Sequence, residues 1–439
     1  MIESLLIKDI DLALPDGIRR GDVLVKNGKI AKMGAHIDEP AQFTLVEPNL
    51  LLMPGVIDPH VHFRQPGSEH KETIETGSMA AASGGVTSFF DMPNTSPPTT
   101  TLEALADKKR IASQTSLVNY NFFIGATPDN LDVLTSVKNV PGVKVYIGST
   151  TGDLLVNQPA HIANIFKHCP LLIAVHAEDN AIIKKAQEMY RDSSNPADHS
   201  KIRPPEAALS ATKMAINLAM THKKRLHICH MSTKEEMTYL SSIEQPHGIT
   251  CETTPQHLFL HEPDCYDRLG TFAQMNPPLR SSEHANVLWK ALLSGHVNCL
   301  ATDHAPHSVA EKSLPFGQAP SGIPGVETSL PLMLTQYNKR EIGLPLLLKV
   351  LCSGPAQVFR IANKGRLQVG YDADFVLVDL KATRKLAHHH IVSKCGWTPF
   401  EGWTLQGLPI ATFVNGQMVY REGEFFHAIK GKEIDILPN

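Results

Sequence analysis

The middle of the chain alternates short apolar runs with stretches of helical composition, and no other feature of the sequence restricts the fold as tightly. The runs are LLMPGVID (51–58), VTSFFDM (86–92), YNFFIG (120–125), VKVYIG (143–148), LLIAVHA (171–177), RLHICHM (225–231), ITCETT (249–254) and VNCLATD (297–303). Segments such as LEALADKKRIASQ and EAALSATKMAINLAMTH separate them. Continuous apolar runs, in place of polar–apolar alternation, are what parallel strands covered on both faces require. Eight of them with intervening helices predict a (β/α)8 barrel over residues 54–365.

The two ends follow a different grammar. DVLVKNGKIAKM (22–33) and TFVNGQMVYREG alternate around Asn27-Gly28 and Asn415-Gly416, a strong hairpin signal, and DADFVLVDL (372–380) reads as another strand. Neither end holds enough strands to bury a face alone. Residues 1–53 and 366–439 are therefore expected to form one small β-sandwich domain into which the barrel is inserted.

Composition narrows the function classes. With 41 Lys+Arg against 44 Asp+Glu the net charge is −3, which argues against a general nucleic-acid or anionic-membrane binder. The seven cysteines are scattered without a CxxC pair, so a reducing compartment is expected and a zinc ribbon is not. The start MIESLLIKDIDLALPDG lacks the basic opening of a signal peptide, and no run of about 18 uncharged apolar residues occurs. A cytoplasmic enzyme without a membrane span is the expectation.

Unusual polar residues cluster at the C-terminal ends of the runs. His60 and His62, in DPHVHFR, stand two apart and so share one side of a strand. His176 ends the fifth run, His230 the sixth and Asp303 the eighth. In a (β/α)8 barrel these ends converge on the face where active sites are built. His and Asp suit zinc and similar ions, and a closed structural zinc site would be richer in cysteine. Lys144, inside apolar GVKVYIG, is costly to bury as a charge. It could reach the strand end to pair with a carboxylate, or its neutral amine could capture CO2 as a carbamate bridging two metals. Asp153 is the competing bridge.

DPHVHFRQPG (58–67), DMPNT (91–95), VHAED (175–179), HICHMS (227–232), MNPPLR (275–280), ATDHAPH (301–307), GIPGVET (322–328) and SKCGWTPFEGW (393–403) occur in this order. With these motifs the whole chain resembles the amidohydrolase superfamily, and within it the long, class I dihydroorotases. The resemblance implies two zinc ions per chain: His60, His62 and Asp303 on one, His176 and His230 on the other, with carboxylated Lys144 bridging. Lysine on the strand itself resembles the lysine-using branch, which favours Lys144 over Asp153. Cys229 and Glu252 lie near where some relatives bind an additional zinc.

The implied reaction is the reversible cyclisation of N-carbamoyl-L-aspartate to L-dihydroorotate plus water, in pyrimidine biosynthesis, with Asp303 carrying the proton. Arg64 offers a planar fork suited to the substrate carboxylate. Asn94, Asn276, His307 and the Gly322 backbone resemble the remaining substrate contacts, and STTGDLLV after Lys144 resembles a loop closing over substrate. The alternatives are an allantoinase or dihydropyrimidinase and a non-catalytic relative. A homodimer is what the family suggests.

Overall fold

The computed structural model describes residues 2–148, 154–243 and 248–438. Asp153 and the rest of 149–153, within STTGDLLV, lie outside the described residues.

Both chain ends contribute to one nine-stranded sheet. The N-terminal part supplies β1 (Ser4–Leu14), β2 (Gly17–Lys26), β3 (Lys29–Gly34), β4 (Phe43–Val46) and β5 (Leu51–Pro54). The next eight elements form the barrel: β6 (Val56–Val61), β7 (Val86–Asp91), β8 (Asn119–Phe122) continued by β9 (Ile124–Gly125), β10 (Val143–Tyr146), β11 (Ile173–His176), β12 (Leu226–Ile228), β13 (Ile249–Thr253) and β14 (Cys299–Leu300). The C-terminal part adds β15 (Phe375–Lys385), β16 (Thr404–Val414), β17 (Gln417–Arg421) and β18 (Glu424–Phe425). The end sheet runs β18-β17-β16-β15-β5-β1-β2-β3, with β4 beside β1. Its core is built from Ile7, Ile10, Val23, Val25, Phe375 and Phe413.

Both expected hairpin turns form. Asn27 and Gly28 have φ of 51° and 77°, and Asn415 and Gly416 have 51° and 75°, the paired positive φ of a type I′ turn. Only glycine takes the second position without strain. The two turns abut, since Ala373 N donates to Gly28 O at 2.8 Å and Gly416 N donates to Ala373 O at 2.9 Å.

The barrel strands are parallel throughout, β6-β7-β8 in one arc and β9 to β14 in the other. The third strand joins the arcs through Phe123. The eighth closes the circle beyond β14, where Val61 bridges His304 and His62 N donates to His304 O at 2.8 Å. Helices cover the outside. Pro205–His222 starts with proline in its first turn and packs Ala207, Ala208, Ala211, Ala215 and Ala219 inward, a face of small side chains that permits close approach to the strands.

Two details differ from the pattern in the sequence. The first apolar run, 51–58, is two strands in two sheets, because β5 pairs with β15 and β6 pairs with β7. Gly55 makes the handover, where a Cβ would lie 2.1 Å from Thr87 Oγ1. The chain also does not finish in the end sheet. Its last segment returns to the barrel, where Glu433 bridges Tyr120 and Ile434 N donates to Tyr120 O at 2.9 Å. Among the described residues no helix is long and apolar enough to cross a membrane.

Candidate active site

β6 delivers His60 and His62 to the same side of the barrel mouth, their ring centroids 5.3 Å apart. Asp58, at the base of that strand end, accepts from His60 N at 3.2 Å, Thr302 N at 3.1 Å and Thr302 Oγ1 at 2.5 Å. It therefore staples the first strand to the eighth and sets Asp303 opposite the histidines. Burial lifts the Asp58 carboxyl to about 7 despite those bonds.

The tautomers follow from the hydrogen-bond partners. His60 Nδ1 lies 2.5 Å from Glu252 Oε1, and His62 Nδ1 lies 2.7 Å from Asn94 Oδ1. Both partners can only accept, so each ring carries its proton on Nδ1 and leaves Nε2 a bare lone pair. Those lone pairs lie 3.3 Å and 3.0 Å from Asp303 Oδ1. Burial, reinforced by Lys144, pulls His60 down to about 4, so it is neutral at pH 7. Burial opposes the charge on Asp303, yet His60 and His62 hold its carboxyl below the carboxylate range. Two imidazole Nε2 atoms and a carboxylate oxygen thus converge, a nitrogen–oxygen set of the kind that divalent cations take.

A second such group sits on β11 and β12. His176 Nε2 lies 2.8 Å from Glu178 Oε2, which places its proton there and turns a bare Nδ1 towards His230 Nε2 at 3.0 Å. Glu178 is fixed by Arg203, whose Nε donates to Oε1 at 3.2 Å and to Oε2 at 3.0 Å. Burial, then His176, pushes the His230 imidazolium well below its ordinary range, and His230 Nδ1 is buried without a hydrogen-bond partner among the described residues. The ligating atoms of His60, His230 and Asp303 lie within 4.8 Å of one another. This donor set fits divalent metal.

Lys144 is fully buried on β10. Its Nζ donates to Cys229 Sγ at 3.0 Å and lies 5.3 Å from the Tyr146 ring, and no carboxylate pairs with it among the described residues. Glu252 is likewise fully engaged: besides His60 it accepts from His227 Nε2 at 3.0 Å and His230 N at 3.2 Å. It therefore orients His60, although its ligand-type oxygen also falls in a group with His60 and Cys229.

A cavity opens over this cluster, lined by His62, Arg64, Asn94, Tyr146, His176, His230, Asn276, Asp303 and the 321–322 segment. Arg64 is buried, and its Nε donates to Pro306 O at 3.0 Å. Its Nη2 lies 3.1 Å from His307 Nε2, and no carboxylate pairs with it among the described residues. Asn276 Oδ1 lies 3.0 Å from His199 Nε2. The Gly322 amide is committed to Gln274 O at 2.8 Å, and a Cβ there would fall 2.4 Å from Ala305 O. His307 stands behind Arg64 and does not line the cavity. Arg64, His230 and Asp303 have φ of 61°, 35° and 46°. Left-handed backbone at non-glycine residues costs on the order of 1–3 kcal/mol each and gathers where function requires it.

The structure thus brings together His60, His62, His176, His230, Asp303 and Lys144, with Arg64, Asn94, Asn276 and Gly322 around the adjoining cavity. Asn94 lines the cavity while its Oδ1 lies against His62 Nδ1. Asp58, Glu178 and the orienting role of Glu252 were not apparent in the sequence, although DPHVHFR, VHAED and ITCETT contain all three.

A parallel eight-stranded barrel with a histidine–aspartate cluster at its C-terminal mouth is the class that fold and site define. The Amidohydrolase family profile matches residues 51–419, and the chain belongs to that family. It is 37% identical over 432 residues to a dihydroorotase of Halobacterium salinarum, covering 97% of this chain and 98% of that one. It is 34% identical over 444 residues to an allantoinase of Deinococcus radiodurans, covering 98% of each. Among solved structures, the L-hydantoinase (dihydropyrimidinase) from Arthrobacter aurescens superimposes with a TM-score of 0.93 at 31% identity, covering 99% of this chain and 100% of that one.

Proposed function

We propose that this chain is a zinc-dependent dihydroorotase, converting N-carbamoyl-L-aspartate reversibly to L-dihydroorotate and water, with residues 54–365 as the catalytic unit. The observation that carries this reading is Arg64: a buried guanidinium beside the histidine–aspartate cluster, facing the cavity and without a carboxylate partner among the described residues. Such a group favours a small ligand bearing a carboxylate next to its reacting amide. The rings named for the allantoinase and hydantoinase relatives carry none there.

His60, His62 and Asp303 would hold one zinc and His176 and His230 the other, with Lys144 as the bridging carbamate, its amine joined to CO2 with loss of a proton. Bound zinc supplies Lewis-acid polarisation of a carbonyl and acidifies water. The chain's own residues do the rest. In hydrolysis Asp303 takes the proton from the attacking water and hands it to the leaving ring nitrogen. In synthesis it takes the proton from the carbamoyl nitrogen as that nitrogen attacks the side-chain carboxyl. Arg64 and Asn276 orient the substrate, which is the entropic part of the rate. We further propose a cytoplasmic homodimer; the seven unpaired buried cysteines agree with a reducing compartment.

Parallel assays on dihydroorotate, allantoin and dihydrouracil test the reading. Turnover of dihydroorotate should exceed the others by about 100-fold or more, as expected when a buried polar group is left unpaired by the wrong substrate. Turnover of allantoin or dihydrouracil without dihydroorotate overturns it.

A further inference from the structure

Lys312 is a fully buried cation that the reaction outlined above does not use. It ends the short helix Val309–Lys312, capped at its start by Ser308 and Glu311, and Thr271 Oγ1 donates to its carbonyl at 2.6 Å. No carboxylate pairs with it among the described residues. Its Nζ donates instead to two backbone carbonyls, Pro320 O at 2.9 Å and Gln274 O at 3.0 Å, with the centre of the Trp397 ring 5.9 Å away. Burying an ammonium without a counter-charge is costly, so the two carbonyls it holds are where its purpose lies.

Both carbonyls belong to segments that run into the cavity wall. Ser321 and Gly322 follow Pro320, and Asn276 stands two residues beyond Gln274. The Gly322 amide donates to Gln274 O at 2.8 Å, so one carbonyl receives both the ammonium and the amide. Beyond Gly322 the chain is fastened again, where Ala305 N donates to Ile323 O at 3.0 Å. Lys312 is the tie on the other side of the glycine. Through Gln274 it also fixes how far the 320–322 segment stands from Asn276.

We infer that Lys312 is a positioning residue whose ammonium clamps segment 320–322 to segment 274–276 and so sets the width of the substrate cavity between Gly322 and Asn276. The clamp stands on backbone geometry, and only the charge of the substrate it serves rests on the dihydroorotase reading. Bonds donated by an ammonium are roughly twice as strong as those of a neutral amine, so the clamp is tightest when Lys312 is charged. Burial, reinforced by Arg64, brings that ammonium down to about 7. The titratable side chains in its field, His199 and His307, are buried and drawn below their ordinary range, hence neutral, which leaves Arg64 as the opposing charge. A carboxylate seated at Arg64 offsets that opposition and holds Lys312 protonated. Substrate binding should therefore weaken as pH rises above about 7, where the free enzyme has lost the proton that the complex keeps.

Steady-state kinetics of the zinc-loaded enzyme across the neutral and mildly alkaline range test the clamp. In the wild type KM for dihydroorotate should rise with pH. Lys312→Met has a side chain of similar length without donors, and should raise KM about tenfold at neutral pH, the worth of a hydrogen bond to a charged group, with no further rise at higher pH. Its kcat and zinc content should stay near wild type, because the metal ligands lie on other segments. Lys312→Gln keeps two N–H donors without the charge and should recover most of the KM while lacking the pH dependence; it serves equally if the methionine variant does not fold. A wild-type KM in Lys312→Met, a loss confined to kcat, or one and the same pH dependence of KM in all three enzymes overturns the inference. If the enzyme turns over allantoin or dihydrouracil in place of dihydroorotate, the substrate reading fails, while a raised KM for that substrate in Lys312→Met upholds the clamp and an unchanged one overturns it.

Discussion

Glu252 offers the sharpest separation between a carboxylate that binds metal and one that orients a ligand. Its Oε1 accepts from His60 Nδ1 at 2.5 Å and His230 N at 3.2 Å, and its Oε2 accepts from His227 Nε2 at 3.0 Å. In Glu252→Gln the amide oxygen can remain on the His60 side while the NH2 group turns to His227. That histidine can change tautomer at little cost, because its Nδ1 lies 2.9 Å from the Thr250 hydroxyl, which both donates and accepts. His60 keeps its acceptor and loses only the charge on it, a difference of about 1–1.5 kcal/mol, or about tenfold in zinc affinity. Glu252→Leu leaves the His60 N–H buried without a partner and frees the ring to present the wrong nitrogen. The cost is then the full loss of an orienting partner, about 100-fold. Zinc affinity measured by competition with a graded chelator, on protein checked for folding by circular dichroism, distinguishes the two. Equal affinities for the two variants, or wild-type affinity in Glu252→Leu, would refute the orienting role.

Arg64→Lys should raise KM for dihydroorotate by about 10–100-fold, since an ammonium cannot reproduce the planar fork, while zinc content stays as in the wild type; an unchanged KM contradicts the assignment of the carboxylate to Arg64. Asp303→Asn should remove measurable turnover in both directions, assayed separately from each substrate, and activity within about tenfold of wild type is incompatible with a proton carrier there. In metal-free protein two buried histidines should contribute stability that is lost with acid between about pH 6.5 and 4. His199 and His257 are buried neutral and drawn down to about 4, so the unfolded chain binds more protons in that window and each contributes a slope of up to ~1.4 kcal/mol per pH unit. Asp58 and Glu327, lifted to about 7 by burial, act with the opposite sign over much of the same range. The comparison is therefore wild type against His257→Gln by urea unfolding at several pH values. The variant should show the shallower dependence, and identical slopes would remove His257 from the account.

The barrel and the ligand ends of its strands were legible because they depend on local pattern. An apolar run of four to six residues ending in histidine or aspartate reads the same whatever it packs against. What escaped reading were the long-range partners that hold the site's side chains and strand ends. Glu252 meets His60 across 192 positions of sequence, Asp58 meets Thr302 across 244, and Lys71 meets His307 across 236. Nothing in composition or period marks such pairs, since their meaning arises only when the circle of strands closes. Glu252 carried a local signal, a glutamate inside an apolar strand, but that signal does not say whether the carboxylate faces a metal or the back of a ligand. The first apolar run misled in a simpler way: its length matched one strand, and only the pairing of β5 with β15 and of β6 with β7 divides it between two sheets.

That division has a consequence for how the protein comes to exist during synthesis. β5 leads through one glycine into the strand bearing His60 and His62, and its partner in the end sheet is β15, with Pro54 opposite Phe375. Gly55 N is itself secured to Asp374 O at 2.9 Å. β5, which has β1 on one side from the outset, thus waits for nearly the entire chain before its second neighbour, β15, exists. Pairings of such long sequence separation are slow to form and leave an unpaired strand edge exposed meanwhile. Native zinc affinity is accordingly a property of the finished chain, and C-terminal truncations that spare every ligand but remove β15 are expected to yield aggregated, metal-poor protein.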